Sequence, residues 1–203
     1  MQTSDWRTLL KHAELLDSIT GEAKRRFLAA IETWLTRYEL STRYFGDLLS
    51  GLNAGIGRPQ FRRRIPPALK ECDVRDCGTG RLERVNRHEA GDQAIEVDRR
   101  ESLYLCGWAW CEGLTLSEST QAYLRLRARD GSAEYYAPLT RRLERKDVMR
   151  ANEELPPECT RYSGFCVIAG IRDVAPGLYA IDIISFVDDT AAAVTFETEL
   201  DIV

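Results

Sequence analysis

The stretch LYLCGWAWCEG, Leu103 to Gly113, decides the fold class. Leu103 and Leu105 alternate with Tyr104 and Cys106, the period of two that sends successive side chains to opposite faces of a strand. Gly107, just ahead of Trp108, lets a bulky ring lie over a neighbouring backbone. Glu112 and Gly113 end the run, which reads as a central strand of a two-sheet β domain.

Strand signals continue on both sides of this stretch. RLERVNRH, Arg81 to His88, and AIEVD, Ala94 to Asp98, precede it. QAYLRLRAR, Gln121 to Arg129, follows and alternates strictly: Ala122, Leu124, Leu126 and Ala128 point inward, and Tyr123, Arg125, Arg127 and Arg129 form a basic outer face. Asp130-Gly131 signals a hairpin into AEYYAPL, Ala133 to Leu139, where Pro138 suits a sheet edge. A helical turn is expected around Lys146 to Asn152 and a loop over Glu154 to Arg161. Then come GFCVIAGI, Gly164 to Ile171, and, after the turn Ala175-Pro176-Gly177, LYAIDIISFV, Leu178 to Val187. In the last segment Val194, Phe196, Thr198, Leu200 and Ile202 face one way and Glu197, Glu199 and Asp201 the other. About eight short strands predict an antiparallel two-sheet sandwich over 81–203.

The front of the chain has a different period. Ser4 can cap a helix with Trp6, Leu9, Leu10, Ala13 and Leu16 on one face. Thr20 can cap a second, with Phe27, Leu28, Ile31, Trp34, Leu35 and Tyr38 at spacings of three and four, a pattern taken up again at Phe45, Leu48, Leu49 and Leu52. Residues 1–55 therefore read as a helical hairpin whose apolar stripe needs cover from the β domain, a second copy or another protein. Residues 56–80, with GIGRPQFRRRIPP at Gly55 to Pro67, read as a Gly/Pro/Arg-rich linker. The whole is mainly β with an α-helical N-terminus.

The 203 residues are 44% hydrophobic and carry a net charge of −4. Residues 1–70 hold 12 Lys+Arg against 7 Asp+Glu and the remainder 16 against 25, so a front of +5 precedes a back of −9. That asymmetry suits mutual attraction of the halves, or an anionic partner for the front. The cluster FRRR, Phe61 to Arg64, is a weak phosphate-binding footprint, and a solvated linker is the preferred reading over a nucleic-acid arm. No apolar run reaches the length of about 18 residues that a membrane span needs, and charge stands where a signal peptide has its apolar centre, so a cytoplasmic product is expected.

The pieces GWA at Gly107 to Ala109, RKDVMRAN at Arg145 to Asn152, SGF at Ser163 to Phe165 and PGLY at Pro176 to Tyr179 form a recognisable series. It resembles a β-sandwich module, carbohydrate-binding or immunoglobulin-like, appended to bacterial glycosyltransferases and other surface-polysaccharide enzymes. The resemblance covers Leu82 to Val203. It implies an immunoglobulin-like sandwich and an accessory role in surface-polysaccharide synthesis or export, and it transfers no catalytic residue.

Six cysteines fall as Cys72/Cys77, Cys106/Cys111 and Cys159/Cys166. A four-thiolate zinc site from the first two pairs is disfavoured, because four intervening residues in a strand send Cys106 and Cys111 to opposite faces; free thiols are expected. His12 has no neighbouring nucleophile in sequence and His88 sits in the hydrophilic run NRHEAGD, so both read as surface histidines, and no nucleophile elbow, phosphate loop or zinc-hydrolase motif occurs. The chain reads as non-catalytic, with no cofactor implied. Sugars stack on exposed aromatic rings while polar neighbours bond their hydroxyls, so Trp110, Tyr123, Arg125, Arg127, Tyr135 and Tyr136 are the candidate glycan-binding residues, with Tyr123, Tyr136 and Arg125 expected at the surface. Trp108 is expected in the core. The alternative is an adaptor without sugar affinity, meeting a protein partner or itself through residues 5–52.

Overall fold

The computed structural model describes residues 59–139, 142–187 and 190–203; the helical hairpin expected over 1–55 lies outside the described residues. Among the described residues ten strands form two sheets. They are β1 (Val74–Asp76), β2 (Thr79–Val85), β3 (His88–Glu89), β4 (Ile95–Val97), β5 (Ser102–Trp110), β6 (Gln121–Ala128), β7 (Glu134–Leu139), β8 (Gly164–Gly170), β9 (Gly177–Val187) and β10 (Thr190–Ile202). Two short helices, α1 (Lys146–Ala151) and α2 (Pro157–Thr160), lie between β7 and β8. The second falls where a loop was expected; Pro157 opens it at a position whose N–H needs no helical partner.

One sheet has the order β3-β2-β5-β8 and is antiparallel throughout. The other runs β1-β10-β9-β6-β7, with β4 also on β10. Its β10–β9, β9–β6 and β6–β7 pairings are antiparallel, whereas β1 and β4 both join β10 in parallel. The expectation of a purely antiparallel sandwich is corrected accordingly: β10 is 13 residues long and its outer edge takes β1 at Ala191–Ala193 and β4 at Leu200–Ile202.

The sheets bury one shared core. Leu103 and Leu105 from β5, Leu124 and Leu126 from β6, and Ile181 and Ile183 from β9 all have no exposed surface. Phe165 of β8 meets Phe196 of β10 across the layers, ring centroids 5.8 Å apart. The alternation read in β6 holds, as does the inward set Val194, Phe196, Thr198, Leu200 and Ile202 of β10. Gly107 is where β2 approaches most closely: an added Cβ would stand 2.3 Å from the Arg81 carbonyl oxygen. Trp108, expected in the core, is only half-buried against it.

The linker expected over 56–80 gives way from Pro59 onward. Phe61 is fully buried in the core, and the backbone on either side of it ties two strand edges together. Phe61 N–H donates to the Gly170 carbonyl of β8 at 2.9 Å, and Arg62 exchanges hydrogen bonds of 2.9 and 2.8 Å with Tyr136 of β7. Both β7 and β8 are outer strands of their sheets, so residues 59–62 clasp the same side of the sandwich and cover edges that would otherwise invite pairing with another chain. The arginines of FRRR are partly engaged within the domain: Arg62 pairs with Asp173 and Arg63 donates to the Ser132 carbonyl at 3.0 Å.

Candidate functional site

The outward residues of β6 stand beside those of β7, β9 and β10. Register places Arg125 between Tyr136 and Asp182, and Asp182 opposite Thr195. Asp182 has no exposed surface, yet it is ionised, because its oxygens are filled with donors. Arg125 Nε reaches Oδ2 at 2.7 Å, Arg127 Nε and Nη2 lie at 3.2 and 3.1 Å from Oδ2 and Oδ1, and Thr195 Oγ1 donates to Oδ1 at 2.7 Å. Burial pushes the Asp182 carboxyl up, but hydrogen bonds from Arg127, Thr195 and Arg125 and the Arg125 charge outweigh it and hold the group below the ordinary carboxylate range. The same bonds raise Arg127.

Glu134 completes the lattice. It lies 3.9 Å from Arg125 and accepts the Tyr136 hydroxyl at 2.5 Å. Burial, with Glu134 as acceptor, pushes the Tyr136 phenol up to about 12. Further along, Arg129 pairs with Glu199. The basic face expected from β6 alone is thus matched by carboxylates contributed from three other strands. At the other end of this face the surface turns apolar: Leu69, Tyr136, Ile184, Ala191 and Ala193 form a second buried cluster, flanked by Cys72, Val74, Tyr123 and Phe186.

The structure brings together four of the six residues singled out as glycan-binding. Tyr123, Arg125, Arg127 and Tyr136 share this outer face. Tyr136 is corrected from exposed to buried, at 6% exposure, since its ring lies in the second cluster. Tyr123 and Arg127 are half-buried, and the Tyr123 hydroxyl accepts Gln121 Nε2 at 3.1 Å. Tyr135 points the opposite way into the main core, edge-on to Tyr179, and its hydroxyl accepts the Ala175 N–H at 3.2 Å. Trp110 belongs to the core as well, so neither ring joins a platform with Tyr123.

Three arrangements were not legible in the sequence. Arg142 lies within the protein at 1% exposure, donating to the Ala109 and Ser163 carbonyls at 3.2 Å each and to the Ser185 hydroxyl; burial pushes its guanidinium down to about 10. Arg145, beside α1, bonds Glu83 and Asp147, and pulls the Asp147 carboxyl down to about 2. The cysteines also group differently from their sequence pairing. Cys106 is register partner to Cys166, whose Sγ lies 3.3 Å from the Tyr104 hydroxyl. Cys111 instead lies in the main core, with Cys77 as its thiol neighbour. His88 opens onto a shallow hollow of about 490 Å³ shared with Arg87, Glu89, Asp92 and Glu96.

Among the described residues no helix is long and apolar enough to cross a membrane. No protein-family model, curated protein or solved structure matches this chain.

Proposed function

We propose that the protein is a non-catalytic adaptor: an immunoglobulin-like sandwich carried as a rigid body, with a protein partner or a second copy engaged through residues 5–52. The observation that supports this reading is the burial of Trp110 and Tyr135 in the main core and of Tyr136 in the second cluster, which removes three of the four rings a sugar platform would use. Arg125 and Arg127, the polar half of such a platform, already bond Asp182. The apolar residues Phe27, Ile31, Trp34 and Tyr38, spaced three and four apart in the sequence, are the ones this reading assigns to the partner.

A second reading keeps a smaller glycan subsite, as expected of an accessory module in bacterial surface-polysaccharide synthesis or export. Tyr123 favours it, half-buried on the face that also holds Arg127, whose side chain is 39% exposed, and Glu134, also 39% exposed. A ring face beside a fixed guanidinium and a carboxylate is chemistry that holds a polyol.

A glycan array probed with the folded full chain separates the two. A blank array, together with a self-associated species in sedimentation that dissociates in Trp34→Asp, supports the adaptor. Saturable glycan binding lost in Tyr123→Ala and Arg127→Ala overturns it in favour of the second reading.

A further inference from the structure

Cys106 on β5 and Cys166 on β8 are direct cross-strand partners. The kind of pair follows from the backbone. Tyr104, two residues before Cys106, exchanges its N–H and carbonyl with Asn86 on the β2 side, at 2.7 and 2.8 Å. Gly164 and Gly170, on the same parity of β8 as Cys166, turn their N–H and carbonyl groups outward, to Leu143 and to Pro59 and Phe61. Residues of this parity therefore do not hydrogen-bond across β5 and β8, which makes 106/166 a non-hydrogen-bonded pair.

In such a pair the Cα atoms stand about 4.5 Å apart with the side chains on the same face, at the short end of the roughly 4.4–6.8 Å over which a disulfide can close. The two sulfurs already interact: a hydrogen bond from Cys166 lowers the Cys106 thiol, against the opposing effect of burial, and the Tyr104 hydroxyl adds to the lowering. Cys106 is buried at 7% exposure, whereas Cys166 is half-buried on the outer strand of the sheet, so one sulfur is protected and its neighbour is reachable. Neither cysteine is in a disulfide.

We propose that Cys106 and Cys166 are an oxidisable dithiol that closes to a disulfide when it meets a hydroperoxide. One sulfur, as thiolate, attacks a peroxide oxygen; the O–O bond breaks and the departing oxyanion, hydroxide from hydrogen peroxide or alkoxide from an organic hydroperoxide, takes up the proton the thiol gave up and leaves as water or alcohol, with the sulfur now a sulfenic acid. The second sulfur attacks the first, the S–S bond forms, the S–O bond breaks and the hydroxide departs with the second thiol proton as another water. Two thiols lose two electrons and the hydroperoxide gains them. The bridge pins the outer strand β8 to β5, and a short Cα separation leaves it open to reduction by a dithiol.

The test is peptide mapping of the folded full chain after hydrogen peroxide, with free thiols alkylated before digestion. The expected product is a peptide pair linked through Cys106 and Cys166, about 2 Da lighter than the two thiol peptides together, that returns to them in dithiothreitol. In Cys106→Ser the reachable Cys166 is expected to proceed to sulfinic acid, a gain of about 32 Da, because no resolving thiol faces it. Wild-type protein in which Cys166 over-oxidises while Cys106 stays alkylatable overturns the proposal, as does a disulfide elsewhere with no 106–166 link.

Discussion

Asp182 Oδ2 accepts the Arg125 Nε hydrogen at 2.7 Å from the neighbouring strand, and the carboxylate that does so has no contact with solvent. A charge so placed persists only because its partners are fixed. Asp182→Asn takes from Arg127 the carboxylate it bonds and leaves Arg125 with Glu134 alone, 3.9 Å away. The expected loss is about 2–4 kcal/mol, below the roughly 3–5 of a fully buried pair because Arg127 keeps water contact. Urea unfolding at neutral pH measures it.

Acid acts on the same group. The folded Asp182 carboxyl titrates below its unfolded value of about 3.9, so its contribution is fully present above that pH and is lost as pH falls through the folded value. Asp147, held at about 2 by Arg145, behaves alike but is 67% exposed, so screening makes its share small. Urea midpoints between pH 6 and 2 are expected to fall below pH 4 in the wild type, and more shallowly in Asp182→Asn.

Phe61 anchors the strand-edge clasp, and its removal is expected to do more than leave a hole. Phe61→Ala costs about 3–5 kcal/mol. It also frees the segment that covers β7 and β8, so limited proteolysis is expected to cut within 59–65 in the variant while sparing the wild type.

Gly107 and Gly91 offer a paired comparison. A methyl group at 107 meets the Arg81 carbonyl at 2.3 Å and the Leu82 Cα at 3.0 Å, backbone that moves only by disturbing β2, whereas nothing lies within 4 Å of one at 91. Gly107→Ala is expected to cost about 1–3 kcal/mol or more, and Gly91→Ala to be near neutral, in thermal melts.

Tyrosine ionisation reports on the burial of Tyr136. Tyr136 and Tyr179 are both pushed up to about 12, burial first in each case, from the ordinary 10.0. Absorbance titration is expected to show a late phenolate step near pH 12 that shrinks in Tyr136→Phe. A Tyr136 that ionises with the early group would restore it to the surface.

The strands β5, β6 and β10 were legible because each carries its own period of two, and β9 because it is a nearly continuous apolar run; alternation states which residues face inward without naming what they face. β1 and the clasp at Phe61 were not: Val74–Asp76 is three residues long, and a single buried phenylalanine among arginines carries no period. The site divided the same way. Tyr123, Arg125 and Arg127 could be placed on one face from β6 alone. Their carboxylate partner, Asp182, sits in an otherwise apolar strand 57 and 55 residues from the two arginines.

Local chemistry along the chain determined the β class, the faces of the long strands and the separation of Cys106 from Cys111. Tertiary structure alone decided that β10 takes parallel neighbours, that the basic face is balanced by carboxylates, that three aromatic rings are buried and that Cys106 faces Cys166. The physical reason is that periodicity is a property of neighbouring residues, whereas charge pairing, burial of a ring and the meeting of two thiols depend on the register between strands far apart in sequence.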